Sequence, residues 1–381
     1  MLRKTVFWLH LIAGAGAGTV ILVMCVTGVL LTYEKDIVAW ADTRHFSVSA
    51  DRTSPLSIDT LVARAREGRT DAPVSVTVRA DPSRPVEVGF GTAGMLFVDP
   101  YTGVVLGREA QGTRAFFRAV TDWHRWLARP QSTRATGRAI TGASNLVFLF
   151  IVLSGMYLWI PRVWNRVQFR NVAWFRRGLP PKGRDFNWHN VAGIWASIPL
   201  VVIVASGVVI SYPWAGDLVY RLAGETPPAR PAAGGAARTA GAVAREPGSL
   251  DAIVNLARIQ RADWRTISMR LRPASDGSIA VTIDAGNGGQ PHKRGLLTVN
   301  GATAAAIKYE DYGSLSTGRR ARSWMRFAHT GEVYGRTGQT IAGLASVAGA
   351  VLGWTGIAMA SRRLAARLKR RGSSATLRSA A

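Results

Sequence analysis

Four uninterrupted apolar segments dominate the hydropathy pattern of the chain, and none of them contains Asp, Glu, Lys or Arg. They cover residues 9–33, 139–160, 188–212 and 337–360. Each has the roughly 20 residues that an α-helix needs to cross the hydrocarbon layer of a bilayer. The pattern predicts a membrane α-helical bundle of four transmembrane helices, with the lipid bilayer as its surroundings.

Two long segments between these apolar runs have a different pattern. Each opens with a predicted helix, SIDTLVARA from Ser57 and SLDAIVNLA from Ser249, and continues with short runs in which apolar and polar residues alternate. Alternation of this kind is typical of β-strands. The predicted strands lie in VSVTVRA, PVEVGF and GMLFVDPYTGVVLG, which has a hairpin turn at Asp99–Gly103, and in TISMRLRP, SIAVTID and RGLLTV. We therefore expect two small α+β domains outside the membrane.

The chain aligns with itself at two offsets. At an offset of 179 residues, FWLHLIAG from Phe7 lies over FNWHNVAG, which places His10 over His189. At an offset of 201 residues, TGRAITGASNLVFLFIVLSGMYLW lies over TGQTIAGLASVAGAVLGWTGIAMA. Each copy of the second alignment is preceded by a histidine, His124 in DWHRWL and His329 in RFAHTG. The spans are therefore predicted to arise by internal duplication, the first matching the third and the second matching the fourth.

The net charge of +25 is unevenly distributed along the chain. Basic residues are concentrated in short pieces at the two termini and between the second and third spans, whereas the long segments are nearer neutrality. Because short Arg-rich loops stay in the cytoplasm, we expect both termini inside and both long segments outside. The charge is thus explained by membrane topology, and no nucleic-acid partner is expected.

The apolar runs and the charge together predict ten segments. In chain order these are a cytoplasmic N-terminus (1–8), transmembrane helix 1 (9–33), a first outer domain (34–120), an outer surface segment with transmembrane helix 2 (121–160), a basic cytoplasmic loop (161–187), transmembrane helix 3 (188–212), an outer connection (213–248), a second outer domain (249–320), an outer surface segment with transmembrane helix 4 (321–360) and a basic cytoplasmic tail (361–381). Residues 225–248 are rich in Pro, Ala and Gly and are predicted to form a flexible linker.

The duplication assigns one pair of histidines to each face of the predicted bundle. His10 and His189 stand at the inner ends of the first and third spans, and His124 and His329 precede the second and fourth spans on the outer side. An ionisable group at such a position is expensive unless it is used. Two neutral imidazoles that face each other between helices suit the two axial positions of a haem iron.

Other metal chemistry and ion pumping fit these residues less well. Zinc and copper sites usually add Cys, Asp or Glu to His, or group His at helical spacing, and neither pattern occurs. A proton or ion pump normally needs an acidic group inside a span. Cys25 is the only cysteine, which excludes disulfides and thiolate-ligated clusters within one chain. Two bis-histidine haems per chain are the prediction that remains.

Haem would also account for the glycines and arginines near the histidines. The glycines of the spans would let a flat macrocycle approach the backbone, although close helix packing explains them equally well. Four arginines near the outer histidines would pair with haem propionates or would extend to the membrane surface: Arg125, Arg138, Arg326 and Arg336. His45 and His292 have no repeat partner and are predicted to lie on the surface.

The histidine motifs resemble the PepSY-associated transmembrane family. The resemblance rests on LH, DWHRWL, NWHN and FAHTG, on the ending YLWIPR, and on a TG or SG late in each span, namely Thr27-Gly28, Ser154-Gly155, Ser206-Gly207 and Thr355-Gly356. The outer segments resemble PepSY domains, best in VDPYTGVVLG. The resemblance implies a multi-pass protein of the bacterial inner membrane, similar to iron-regulated di-haem (haem b) reductases of ferric siderophores, with His10, His189, His124 and His329 as axial ligands.

The resulting hypothesis is transmembrane electron transfer. An inner haem would receive an electron from a cytoplasmic donor or from quinol, and an outer haem would pass it to a ferric siderophore or another ferric chelate, which binds Fe(II) less tightly than Fe(III). Nucleotide and flavin fingerprints are missing from the sequence, so any NAD(P)H enzyme would be a separate partner. Two alternatives remain open: a haem-free PepSY regulatory protein that binds a peptidase, and a permease for iron or its chelate.

Overall fold

The computed structural model describes residues 1–48, 54–160, 165–229 and 248–379. These residues form two compact units. The first, here called the helical unit, comprises Met1–Glu34, Ala115–Val219 and Met325–Ala381. The second, here called the sheet unit, comprises Lys35–Arg114 and Tyr220–Trp324.

Helices and strands follow one another in two blocks of similar order. The helices are α1 (Leu2–Leu31), α2 (Glu34–Thr43), α3 (Ile58–Arg66), α4 (Gln111–Trp126), α5 (Arg134–Trp159), α6 (Arg166–Ala173), α7 (Pro181–Ser211), α8 (Pro213–Leu222), α9 (Leu250–Gln260), α10 (Thr317–Ala328) and α11 (Gly335–Ser379). The strands are β1 (Ser75–Arg79), β2 (Val86–Gly89), β3 (Met95–Val98), β4 (Val105–Arg108), β5 (Thr266–Arg270), β6 (Ser278–Asp284), β7 (Arg294–Asn300) and β8 (Ala306–Asp311).

Four helices of the described chain are long and apolar enough to cross a membrane, which confirms the prediction of a helical membrane protein. They contain α1, α5, α7 and α11. Each is longer than its apolar run, and α11 continues past the predicted end at residue 360 to Ser379. Residues 361–371, SRRLAARLKRR, consist mainly of good helix formers and include no Gly or Pro, so nothing in this stretch ends the helix.

The four long helices form a ring in which α1 and α7 each pack against both α5 and α11. Their shared core is apolar and includes Ile21, Cys25, Phe148, Leu200 and Ala345. Since lipid is as apolar as these side chains, close packing and interhelical hydrogen bonds must hold such a bundle together. Polar contacts between the helices therefore contribute to holding the bundle together.

The sheet unit contains one eight-stranded antiparallel sheet with the order β4-β3-β2-β1-β5-β6-β7-β8. The order is symmetric about the central pair, in which Ser75–Arg79 of β1 face Thr266–Arg270 of β5. The two outer domains expected from the sequence are therefore not separate, because they share this sheet and one hydrophobic core. Pairing β1 with β5 removes two unpaired strand edges, which explains why the halves join.

The strand β8 was not expected from the sequence. Its residues AIKYED are mostly exposed, with Lys308 and Glu310 on the outermost strand of the sheet. An edge strand of this kind does not need the apolar alternation that marks a half-buried strand, and its charges discourage pairing with another chain. The other predicted strands coincide with β1 to β7.

Glu225 caps the N-terminus of α10. Its carboxylate accepts hydrogen bonds from the Ser316 hydroxyl at 2.7 Å and from the Gly318 amide at 2.9 Å. These donors hold the pKa of Glu225 below its ordinary value, because they stabilise the charged form. The predicted flexible linker therefore does not begin at Glu225, and its residues 230–247 lie outside the described residues.

In the sheet unit, Asp59 and Asp251 cap each other's helices. The Asp251 carboxylate accepts from the amide of Ile58 at 2.9 Å, and the Asp59 carboxylate accepts from the amide of Leu250 at 3.0 Å. Each carboxylate thus satisfies an amide at the first turn of the other helix, where negative charge is favoured. The exchange ties α3 to α9.

We expect Asp59→Ala to destabilise the protein by about 1 kcal/mol, because it removes the acceptor of the Leu250 amide in the first turn of α9. Thermal unfolding of the purified protein, followed by circular dichroism, measures the effect. Asp251→Ala is the matched variant and should shift the midpoint by a similar amount. An unchanged midpoint in both variants would contradict the capping role.

Candidate functional site

The first histidine pair joins two spanning helices. His10 lies on α1 and His189 on α7, and their ring centroids are 6.4 Å apart with an interplanar angle of 84°. Both side chains are half-buried. The sequence had paired these two residues, and the structure places them side by side.

A cavity of about 1370 Å³ surrounds the first pair, bounded by residues of α1, α5, α7 and α11. Its walls are mainly apolar side chains and glycines. Gly14 lines the cavity, and a Cβ atom added there would meet nothing within 4 Å. The cavity is therefore roomy enough for a flat apolar ligand beside the two imidazoles.

Basic residues line the cavity together with the histidines, and the lining contains no Asp or Glu among the described residues. They are Arg3, Lys4, Lys182, Arg362, Arg363 and Arg367. Several are held in place: Arg363 and Arg367 lie over the ring of Trp8, and Arg362 pairs with the buried carboxylate of Asp185. This arrangement favours a ligand that is apolar at one end and anionic at the other.

The second histidine pair lies where two shorter helices meet the spanning helices. His124 is in the last turn of α4, His329 follows the end of α10, and their ring centroids are also 6.4 Å apart, with an interplanar angle of 59°. Leu127 and Ala128 adopt φ of 52°, which ends α4 before Pro130. His124 is therefore outside α5, as the sequence predicted.

Glycines allow the two sharp turns beside the second pair, one between α4 and α5 and the other between α10 and α11. A Cβ on Gly137 of α5 would lie 2.2 Å from the carbonyl oxygen of Trp126, and one on Gly338 of α11 would lie 2.1 Å from that of Gly331. Only glycine allows the backbones to approach so closely. These two glycines match each other in the sequence repeat. Each lets the turn that follows a histidine pack closely against the spanning helix.

Each of the four histidines contacts the hydroxyl of a TG or SG dipeptide on another helix. The Nδ1 atom lies 2.9 Å from Ser154 Oγ in His10, 2.9 Å from Thr27 Oγ1 in His124, 3.0 Å from Thr355 Oγ1 in His189 and 3.4 Å from Ser206 Oγ in His329. The sequence showed these dipeptides as a recurring pattern only. The structure shows them to be the hydrogen-bond partners of the histidines.

The glycine of each dipeptide gives room to the same imidazole. A Cβ added to the glycine would lie near the Cε1 atom of the histidine, at 3.3 Å for Gly155 and His10, 3.6 Å for Gly356 and His189, 3.7 Å for Gly28 and His124, and 3.2 Å for Gly207 and His329. The dipeptide thus combines a hydrogen-bonding hydroxyl with the space that the ring occupies.

Three of the four predicted arginines lie near the second pair. Arg125 and Arg326 act electrostatically on His124 and His329, and Arg138 lies within electrostatic range of Arg125. Arg336, the fourth, lies in the first turn of α11. The group has a local excess of positive charge, since Asp122 faces Arg134 in an ion pair.

A model of the PepSY-associated TM region matches residues 7–363, a range that includes all four histidines and the apolar parts of all four spans. The chain belongs to the PepSY-associated TM region family. No curated protein matches the chain. The family assignment agrees with the sequence motifs and supports a membrane protein.

Sequence reasoning missed two parts of this PepSY-associated site. The hydroxyl partners were visible only as the recurring TG or SG, whose contacts depend on how the helices pack. The basic residues around the first cavity come from three distant parts of the chain, for example Lys4, Lys182 and Arg363. His45 and His292 are exposed, which confirms their predicted surface positions.

We expect Gly207→Ala to destabilise the protein by about 1–3 kcal/mol through overpacking. The new methyl would lie 3.0 Å from Asn145 Nδ2 and 3.2 Å from His329 Cε1. Gly28→Ala is the matched control, because its nearest neighbours are 3.4 Å and 3.7 Å away. The thermal midpoint should fall for Gly207→Ala and stay constant or rise for Gly28→Ala, and equal midpoints would refute the packing argument.

Proposed function

We propose that this protein carries electrons across the bacterial inner membrane through two bis-histidine haems and reduces a ferric chelate on the outer side. The observation that supports it is the 6.4 Å separation of the rings in both pairs. With metal–imidazole bonds of about 2 Å, two rings on opposite sides of one metal have centroids about 6 Å apart. Both separations match this distance.

The donor set of each pair favours a macrocycle over a bare metal ion. Within the described residues, no three His, Cys, Asp or Glu side chains come together as metal ligands. Two imidazoles alone leave most positions of an iron open, and a porphyrin fills four of them. The empty space beside Gly14 and the apolar walls fit the plane of a porphyrin, and the basic residues fit its two carboxylates.

The proposed haems supply a one-electron couple at each pair. The protein would determine where the two haems lie in the bundle. α1 contacts both pairs, at His10 directly and at His124 through Thr27, and these two positions are separated by about 26 Å of helix. The two pairs therefore lie at opposite ends of the bundle, and a single electron would cross the membrane in stages between them.

The chain's residues would assist in three ways. The histidines would hold the iron, and the apolar walls of the first cavity would keep water from it. The basic residues of the first cavity would pair with haem carboxylates there, and Arg125 and Arg326 would do so at the second pair. The substrate is a ferric chelate that accepts one electron per iron, and its hard oxygen ligands hold the ferrous product less tightly. The basic termini favour the cytoplasmic side for the first pair.

Purified full-length protein should show a haem absorption band that shifts on reduction with dithionite, with two haems per chain. His189→Ala should retain one haem, because it removes a ligand of the first pair only. His292→Ala is the control and should keep both, since His292 is exposed. A colourless wild-type protein would instead favour the haem-free regulator or the permease.

Reduction of the substrate is tested directly. Anaerobic protein reduced with dithionite, then freed of excess reductant, should be reoxidised by a ferric hydroxamate chelate, and a ferrous-specific chromogenic chelator should capture one ferrous iron per electron released. His124→Ala, which breaks the second pair, should slow the reoxidation at least tenfold. Reoxidation at the wild-type rate would exclude the second pair from the path.

Membrane orientation can be tested with the single natural cysteine left in place, because Cys25 is buried. We expect an impermeant maleimide to label Ser83→Cys in intact spheroplasts, and to label Arg177→Cys only after lysis. Both positions are exposed. The reverse pattern would place the sheet unit in the cytoplasm.

A further inference from the structure

We propose that the hydroxyl groups of the four TG and SG dipeptides are positioning groups, each of which fixes the tautomer and direction of one histidine. They belong to Thr27, Ser154, Ser206 and Thr355. The inference rests on the proposed function, because the nitrogen left available on each ring is the one that would bind haem iron. The four hydroxyls act through the histidines and do not touch the metal themselves.

The tautomer follows from counting protons. A hydroxyl has one hydrogen, and each of these hydroxyls donates it to a backbone carbonyl of its own helix, as Thr27 does to Val23 at 2.7 Å and Thr355 to Val351 at 2.6 Å. Its oxygen is then an acceptor toward the histidine. Nδ1 must therefore carry the proton, which leaves the lone pair on Nε2 for a metal.

His329 gives an independent check of this assignment. Its Nδ1 lies 2.8 Å from the carbonyl oxygen of Ile203, and a carbonyl can only accept a hydrogen bond. The nitrogen must donate, as it is inferred to do at the hydroxyls.

Hydroxyl and histidine always come from the same half of the chain. In the first half, His10 of α1 contacts Ser154, and Thr27 of α1 contacts His124. In the second half, His189 of α7 contacts Thr355, and Ser206 of α7 contacts His329. Each ring, in contrast, faces a histidine of the other half. Ring direction is thus set within one half, and the iron would cross-link the two halves.

The four contacts are unequal, which provides an internal comparison. The hydroxyl lies within 3.0 Å of Nδ1 in three of them, but at 3.4 Å in His329, where the Ile203 carbonyl is nearer. Removing the Ser206 hydroxyl should therefore disturb its histidine less than removing the Thr27 hydroxyl disturbs His124. Both of these histidines belong to the second pair.

The test uses Thr27→Val, which removes the hydroxyl and keeps the side-chain shape, in a His189→Ala background that retains only the second haem. We expect a higher midpoint potential in a spectroelectrochemical titration, because an imidazole that loses its Nδ1 acceptor is a weaker donor to ferric iron. Haem transfer to a scavenging apoprotein should become roughly tenfold faster. Thr27→Ser should restore both values, and Ser206→Ala should shift them less than Thr27→Val.

Thr32→Val is the matched control on the same helix. The Thr32 hydroxyl donates to the carbonyl of Gly28 at 3.1 Å, and its hydrogen bonds do not involve a histidine, so the potential should not change. Wild-type potential and haem transfer in Thr27→Val would overturn the inference while leaving the haem assignment intact. Absence of haem from the wild-type protein would overturn the proposed function instead.

Discussion

The arrangement of the helical unit depends on hydrogen bonds between four imidazoles and four hydroxyls of neighbouring helices. A polar ring placed in an apolar bundle is unfavourable unless its donor is satisfied. Ser and Thr meet this requirement at little expense, because each first satisfies its own hydroxyl on a carbonyl of its helix and then accepts from the ring. The glycine that follows leaves space for the ring, so each dipeptide both hydrogen-bonds to one histidine and accommodates its side chain.

The same contacts fix how the helices pack. The bundle core is apolar, and apolar side chains alone distinguish poorly between rotational settings of a helix in lipid. A hydrogen bond from His10 to Ser154 is satisfied in one setting of α1 against α5 only. The four histidine–hydroxyl hydrogen bonds therefore specify how the helices pack. They also hold the rings of each pair at the 6.4 Å separation on which the proposed electron transfer depends.

In the sheet unit, the two halves of the chain pair with each other and so avoid unpaired strand edges. Each half provides a helix and four strands, and a four-stranded sheet standing alone would expose the edge of β1 or of β5. Joining the halves at these strands buries both edges, and the reciprocal caps of Asp59 and Asp251 secure the helices above them. The symmetric order is what the internal duplication predicted from the sequence would give.

The amino-acid sequence by itself determined the four spans, the strands β1 to β7 and the assignment of histidines to pairs, because hydropathy, alternation and repetition are properties of the chain read in order. It did not determine the joined sheet, the edge strand β8, the hydroxyl partners or the basic lining of the first cavity. Those features depend on which residues distant in the chain meet in space. Thr27 and His124, or Lys4 and Arg363, become neighbours only when the helices have packed at one particular rotation and depth.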